Sequence, residues 1–529
     1  MSLIFEQSAP AREADHNRAD VACFIGYVAR RRGVALPAPV REQLAAAGWV
    51  NGLWARPAAQ VERLENLPVT IDGWGLFDHL FDWSARPLDG AGRRACAGYL
   101  GAAVRAFFAH GGRRAIVIRV GDPWPLLESG TRRAAKRRQR LRRLLPDFAD
   151  TGAPEHPFTP FDPANWQGIQ HLYGLGDCGM VLLPDLADAC AVDPPIPDLA
   201  PTPPPPPEGF VECGVDEPLQ ADTSLRHTPA PRLDNSGYAA WKLALDAARN
   251  FLGRHRRETL LLASPPLPHV DASRISGGKR RHAQTDMLAW LRRAGVLNDN
   301  TSDGRPAEAL VQLAWPWLRT RNAADLPESL EAPEGILAGL IADGAIQRGC
   351  HRSVAGDFSL ARLRDVVDGE PVPAWGLDET SPAAMLARRV CLFAPQPGGW
   401  ALQSDVTTAA AGATRFGGAS RLIAHLLRAC RAVGETVVFE GNDEATWARL
   451  RRGLEDVLLR YWDAGAFSGA TPGEAFSVRC DRHTMTRNDL DNGRLIAQIM
   501  VWPAMSIERI TVALNLGNAA ESPNMREAA

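Results

Sequence analysis

The chain has 529 residues, with 59 Lys and Arg against 61 Asp and Glu, for a formal net charge of −2. Hydrophobic residues are 45% and charged residues 23% of the total, an ordinary globular composition in a chain long enough for about two to four domains. The near-cancelling charge argues against bulk attraction to nucleic acid or an anionic membrane, and no apolar run reaches the roughly 18 residues that span a bilayer.

The N-terminus, MSLIFEQSAPAREADHNRAD, carries one short apolar run, Leu3-Ile4-Phe5, and then turns polar. It lacks a basic segment followed by an apolar one, so no secretory leader is expected. VACFIGYVA (21–29) reads as a buried strand. GYLGAAVRAFFAHGG (98–112) reads as a helix closed by glycines, and RRAIVIRV (113–120) as the next strand. That order predicts an α/β opening. GMVLLPD (179–185) is another short apolar run. From about 193 to 236 proline dominates (PPIPDLAPTPPPPPEG), which predicts an extended surface insertion. YAAWKLALDAARNFL (238–252) then places Trp241, Leu245, Ala248 and Leu252 on one helical face. ETLLLASPP (258–266) predicts a buried strand, and TDMLAWLRRAGVL (285–297) a helix. No repeat is visible at solenoid spacing.

The last third predicts an α+β unit. RLIAHLLRACRAV (421–433) is an amphipathic helix with Leu422, Leu426 and Val433 inward. ETVVFEGND (435–443) reads as a strand and a turn, with Asn442 or Asp443 capping the next helix. That helix carries the stripe Trp447, Leu450, Leu454, Val457 and Tyr461 and ends near Gly465. AFSVRC (475–480), RLIAQIMVWPA (494–504) and IERITVAL (507–514) read as three strands. The fold class is therefore α/β and α+β in several units.

Candidate chemistry is sparse. The nine cysteines form no Cys-x-x-Cys pair, against a zinc ribbon or a disulfide framework, and each reads as a small buried apolar residue. GLGDCG (174–179) has dinucleotide-loop spacing but precedes a strand instead of following one, so it reads as a turn. SGGK (276–279) lacks the earlier glycine of a phosphate loop and reads as a flexible loop. The basic run TRRAAKRRQRLRR (131–143) would grip phosphates, but it has no interleaved aromatics for base stacking. It reads as a solvated helix face or a contact with an acidic neighbour. CDRHTMTRNDLDNGRLIA (480–497) clusters Cys480, Asp481, His483, Asp489 and Asp491. Its spacing fails an EF-hand, because glycine comes one residue early and Met500 stands at the twelfth position. It also lacks a second zinc-ligand pair. Asp489, Asp491, Asn492 and Gly493 therefore read as a structural turn. A metal-dependent hydrolase using Asp481, His483, Asp489 and Asp491, and a nucleic-acid-binding protein using 131–143, stand as alternatives. No catalytic, cofactor or metal residue is assigned.

In its ordered segments the sequence resembles contractile tail sheath proteins, the sleeve of contractile phage tails, R-type pyocins and extracellular contractile injection systems. The resemblance is carried by VVFEGNDEATWARL (437–450) and by WDAGAFSGATPGEAFSVRCDRHTMTRNDLDNGRLIAQIMVWPAMSIERITVAL (462–514). ALVQLAWPWL (309–318), APEGILAGLIADGAIQRGCHRSVAG (332–356) and the opening segments CFIGYV, YLGAAVRAFFAHGG and RRAIVIRV extend it over most of the chain.

The resemblance implies a structural subunit with no enzymatic activity and no cofactor. It implies an arm at 1–20, an outer α/β region at 21–380 with the Pro-rich insertion, a tube-facing C-terminal domain at 381–506 and a strand arm at 507–529. Leu3, Ile4 and Phe5, and Ile507, Ile510, Val512 and Leu514, would be the interface residues of arms that pair with neighbouring subunits. A head-to-tail contact that does not close makes a helical polymer. The expected partners are further copies in stacked six-fold rings, an inner tube protein, and baseplate proteins or sheath paralogues, with no membrane and no nucleic acid. Assembly is expected in the bacterial cytoplasm, in a phage tail or tail-like particle. The chain would be either the main sheath subunit or a divergent paralogue.

Overall fold

A computed structural model describes residues 18–504, apart from positions 53 and 127 and the stretches 89–94, 129–132, 149–161, 192–224, 226–227, 269–282, 298–307 and 372–379. The two expected arm segments, most of the Pro-rich stretch and SGGK lie outside the described residues.

The frame is an eight-stranded sheet. Its strands in chain order are β1 (Val21–Tyr27), β2 (Pro68–Ile71), β3 (Arg114–Gly121), β4 (Met180–Leu182), β5 (Leu260–Ala263), β6 (Val311–Trp315), β7 (Cys391–Gln396) and β8 (Gly399–Leu402). Across the sheet they run β8-β7-β6-β5-β4-β1-β3-β2. The interior pairs are parallel, and β2 and β8 close the two edges antiparallel. Strands covered on both faces read as unbroken apolar runs. VACFIGY is buried at every position, and so are β4, β5 and β6. The predicted α/β opening is therefore present, with Cys23 opposite Ile116 of β3 and Val181 of β4.

Small residues set the helix layer. Helix α1 (Tyr99–Ala109) packs along α4 (Glu334–Arg348), with α2 (Arg133–Leu144) and α3 (Asn235–His255) between them in the chain. A Cβ on Gly335 would stand 2.5 Å from the Ala103 carbonyl, and one on Gly339 2.7 Å from that of Phe107. The Gly-x-x-x-Gly spacing in PEGILAGL therefore lets two backbones meet where larger residues would force them apart. Helix α3 buries Trp241, Leu245, Ala248 and Leu252 as the periodicity predicts, and Asp234 caps it by accepting from Gly237 N at 2.7 Å. The preceding Arg232–Leu233 pairs with Leu267–Pro268. The stretch expected to be an insertion as far as 236 thus rejoins the body earlier.

A second boundary also differs from the sequence reading. The cut at 380/381 falls just before β7 and β8, which complete the main sheet and share its core through Leu392, Phe393 and Leu402. The separate C-terminal cores begin only at Leu422. Nothing local in CLFAPQ signals its pairing with β6, a contact made across about 80 residues of chain.

Buried acids collect beyond the carboxyl ends of the parallel strands. Asp185 accepts from Tyr27 N at 2.6 Å and Leu100 N at 3.3 Å. Nearby, Arg86 is paired with Asp188 at 2.7 Å. Burial pushes the Asp185 and Glu331 carboxyls up to about 7 and Glu334 to about 8. Such groups hold their protons in the folded chain while the unfolded chain releases them near pH 4, so stability falls as pH rises through that interval. His171, buried and held near 3, opposes this with one proton against three. Urea midpoints are therefore expected to be higher at pH 5.5 than at pH 8; equal midpoints would show these acids to be ionised.

Candidate assembly interface

The C-terminal unit is built from helices α5 (Gly417–Glu435) and α6 (Glu444–Asp463), strand β9 (Phe476–Arg479), the short helix α7 (Arg487–Asp491) and strand β10 (Gln498–Val501). Helix α5 has two working faces. Leu422 and Leu426 enter a core with Leu458, Phe467 and Phe476. Cys430 and Val433 are half-buried against Trp447, Leu450 and Leu454 of α6. The opposite face carries arginines to the α/β body.

Arg421 is the centre of that face. Its guanidinium meets Asp405 through Nη2–Oδ2 at 2.6 Å and Nη1–Oδ1 at 2.9 Å, both residues being buried. Asp405 also accepts from Gln312 Nε2 of β6 at 3.0 Å and from Val354 N at 3.1 Å. Arg421 donates further to the Cys350 and Arg352 carbonyls. Burial alone would raise the Asp405 carboxyl, but the Arg421 charge and these hydrogen bonds hold it below the usual carboxylate range. Two turns on, buried Arg428 donates to the Arg18 carbonyl at 2.9 Å, and Arg431 pairs with Glu258 at 2.6 Å. The Arg421–Asp405 pair, whose buried polar atoms are hydrogen-bonded, fixes one orientation of the C-terminal unit on the sheet, whereas Arg428 Nε and Nη1 and Glu258 Oε2 find no hydrogen-bond partner among the described residues.

Helix α6 buries Trp447, Leu450, Leu454 and Leu458, each worth roughly 1.5–3 kcal/mol of transfer. Asp443 caps it, accepting from Thr446 N at 2.8 Å. The expected Val457 and Tyr461 are only partly buried; Leu458 takes the fourth core position. Tyr461 instead bonds His425 Nδ1 at 2.6 Å.

Strands β9 and β10 form an antiparallel pair, with Phe476 opposite Val501 and Val478 opposite Ile499 on the face turned to the helices. Ser477 and Met500 alternate with them, and Met500 and Trp502 are exposed. Among the described residues this sheet has two strands. Two strands alone are marginal, and their outer backbone edges are templates for further pairing. Residues 505–529 follow directly, outside the described part.

The polar connection between β9 and β10 contains one helical turn, α7. Thr486 caps α7 in a capping box with Asp489, whose carboxylate accepts from Thr486 N at 3.0 Å and Oγ1 at 2.6 Å. Asn492 ends the turn, donating to the Asn488 carbonyl, and Gly493 follows with φ +66°. Asp481 accepts from its neighbour His483 N at 2.7 Å, and Thr484 Oγ1 bridges to the Ile496 carbonyl. Asp481 and Asp489 are spent on local hydrogen bonds, and burial raises the Cys480 thiol away from the reactive thiolate. Among the described residues no three His, Cys, Asp or Glu side chains stand together as metal ligands. His483 is exposed. His483→Ala is expected to leave metal content unchanged and stability within about 0.5 kcal/mol, read by metal analysis and thermal unfolding; loss of stoichiometric metal would revive the hydrolase reading.

One further segment shows what periodicity missed. ETVVFEGND is not a strand: α5 runs to Glu435, and turns lead from there to Asp443. GLGDCG is a turn entering β4, as expected from its order, and Arg256 donates to the Leu175 carbonyl at 2.7 Å. The basic run forms α2, where Lys136 and Arg140 pair with Glu128 and Arg137 holds the Ala191 carbonyl.

No protein-family model and no curated protein matches the sequence. Solved structures do match the fold along nearly all of it. A chain of the anti-feeding prophage (AFP) baseplate in contracted state aligns at TM-score 0.56 and 16% identity, over 99% of this chain and 97% of that one. A chain of the AFP helical sheath in contracted state gives 0.52 and 17%, over 97% and 98%. This chain has the contractile-sheath fold. The sheath complex of the extracellular contractile injection system PVC, also contracted, gives 0.50 and 12%, over 94% and 91%. At these identities the likeness concerns the fold, and it includes the C-terminal unit as well as the large sheet.

Proposed function

We propose that this chain is a structural subunit of a contractile sheath, polymerising around an inner tube and contracting to drive it forward. The observation that carries the reading is a fold shared end to end with AFP sheath and baseplate chains. The terminal geometry supports it. A two-stranded hairpin with open edges, followed by IERITVAL, suits β-augmentation between subunits. Ile510, Val512 and Leu514 would line one face of the donated strand, and Leu3, Ile4 and Phe5 would supply its mate. The Asp405–Arg421 joint would carry the C-terminal unit with the body as rigid subunits rotate. The C-terminal unit faces the tube in this reading, and the α/β body faces outward.

Rings of six follow the six-fold symmetrised AFP baseplate, in which one matching chain sits. The match to baseplate as well as sheath chains suits either a main subunit or a paralogue near the baseplate. Assembly in the cytoplasm and function in a tail-like particle complete the proposal. A sheath works through interfaces, so no catalytic group is assigned. Electron microscopy of the chain expressed with its genomic neighbours tests it.

A further inference from the structure

A cleft of about 510 Å³ lies between the α/β body and the C-terminal unit. The body contributes Arg18, Asp20 and the end of α4 around Ile346. The C-terminal unit contributes His425 of α5, with Tyr461 and Ala464 at the end of α6. The lining is mainly apolar, and Ile346 stands exposed in it. The cleft also holds a polar group without a partner. His351 lines it and is buried, and its Nε2 finds no hydrogen-bond partner among the described residues. Burial, with Arg352 and Arg421 nearby, holds this imidazole below its usual pKa, so it is neutral at pH 7. Arg352 is exposed and makes no ion pair among the described residues. Arg348 differs: the Ser353 carbonyl and the Phe358 ring already engage it.

The chain's own N-terminal segment is placed to fill the cleft. Residues 1–17 run directly into Arg18 on its rim. That point is fixed: Arg428 donates to the Arg18 carbonyl at 2.9 Å, and the Arg18 guanidinium grips Asp20. Leu3, Ile4 and Phe5 are the run of large apolar residues in this segment. About a dozen residues separate them from Arg18, roughly 40 Å of reach when extended, ample to turn back into the cleft. Glu6 follows Phe5 directly.

We propose that in the unassembled chain Leu3, Ile4 and Phe5 dock in this cleft of the same chain, against Ile346, Tyr461 and Ala464. A backbone group of the docked segment meets His351 Nε2, and Glu6 meets Arg352. Covering an exposed apolar surface and pairing an orphaned buried nitrogen both favour the contact. A segment tethered at the rim also has an effective concentration that a dilute second copy does not match. The docking stands without the sheath reading. One consequence rests on that reading: an arm held in its own cleft is withheld from neighbours until assembly.

The test uses the full-length chain with paired cysteines. F5C/I346C is expected to form a disulfide within one chain, at a rate independent of dilution. A bridge from F5C to Cys350, which also lines the cleft, reports the same docking, and peptide mass mapping separates the two. F5C/V367C places its second cysteine at an exposed position outside the cleft lining and should bridge about tenfold more slowly. Bridging only between two chains, or no faster than in this control, overturns the proposal. Trypsin gives a second reading in the chain with its native cysteines. Cleavage after Arg12 is expected to be about tenfold faster in I346E than in wild type, because docking protects the segment. Ile346 is exposed, and matching thermal midpoints will verify folding. Equal cleavage rates overturn the proposal as well. Failure of the sheath reading shows separately: bridging within the chain persists while micrographs show no tubular polymers.

Discussion

Deleting residues 507–529 is expected to leave a folded chain that no longer assembles. The buried clusters of the described residues, drawn from positions between Val21 and Val501, supply apolar cores to both the sheet and the C-terminal unit. Thermal unfolding should therefore move little. Assembly should fail, because the β9–β10 hairpin offers backbone edges that need a third strand. The partner in this account is the 507–514 segment of a neighbour, whose main-chain hydrogen bonds supply affinity. Wild type should pellet as large polymers when expressed with its neighbours, and the truncated chain should stay in the supernatant. Truncated chain in intact sheaths would remove strand exchange from the mechanism. A chain that unfolds would show that the tail belongs to the core.

The second large effect is expected at the joint. Asp405→Ala leaves the buried Arg421 guanidinium without its anion, and breaking such a pair costs about 3–5 kcal/mol. Gln312 Nε2 and Val354 N lose an acceptor in the same step. Replacing both partners, as in Asp405→Leu with Arg421→Met, should recover much of that loss, because apolar packing substitutes for a buried pair at little net cost. Urea unfolding of Asp405→Leu, Arg421→Met and the double variant measures this as a cycle. Near-additive losses would mean that the two charges do not act as a pair. The pH sense is also fixed. The Asp405 carboxyl is held low, so its contribution is present above the ordinary carboxylate pKa and is lost as pH falls through its depressed value.

Much of this was legible in the sequence, where local pattern and tertiary burial coincide. VACFIGY, the α1 helix and RAIVIRVG are apolar enough to name their own structure. The Trp447–Leu450–Leu454 stripe places α6 correctly. VVFE misled because β-branched and aromatic residues favour strands only when a partner edge exists. Here α5 overruns to Glu435, and the described chain supplies no partner for that segment. The arginine face of α5 was invisible for a related reason. Apolar periodicity identifies one buried face and treats arginines as solvent-facing, whereas Arg421 and Arg428 are buried by partners far away in sequence. The acids of 480–494 looked like ligands because residue type alone does not reveal that Asp481 and Asp489 are committed to nearby backbone.

The central claim is assembly into a contractile sleeve, and direct imaging tests it. The chain should be expressed with its genomic neighbours and examined by electron microscopy. The account predicts rings or helical sleeves around a narrower tube, in a long form and a shorter, wider one. Isolated particles of single-chain size beside bare tubes would contradict it.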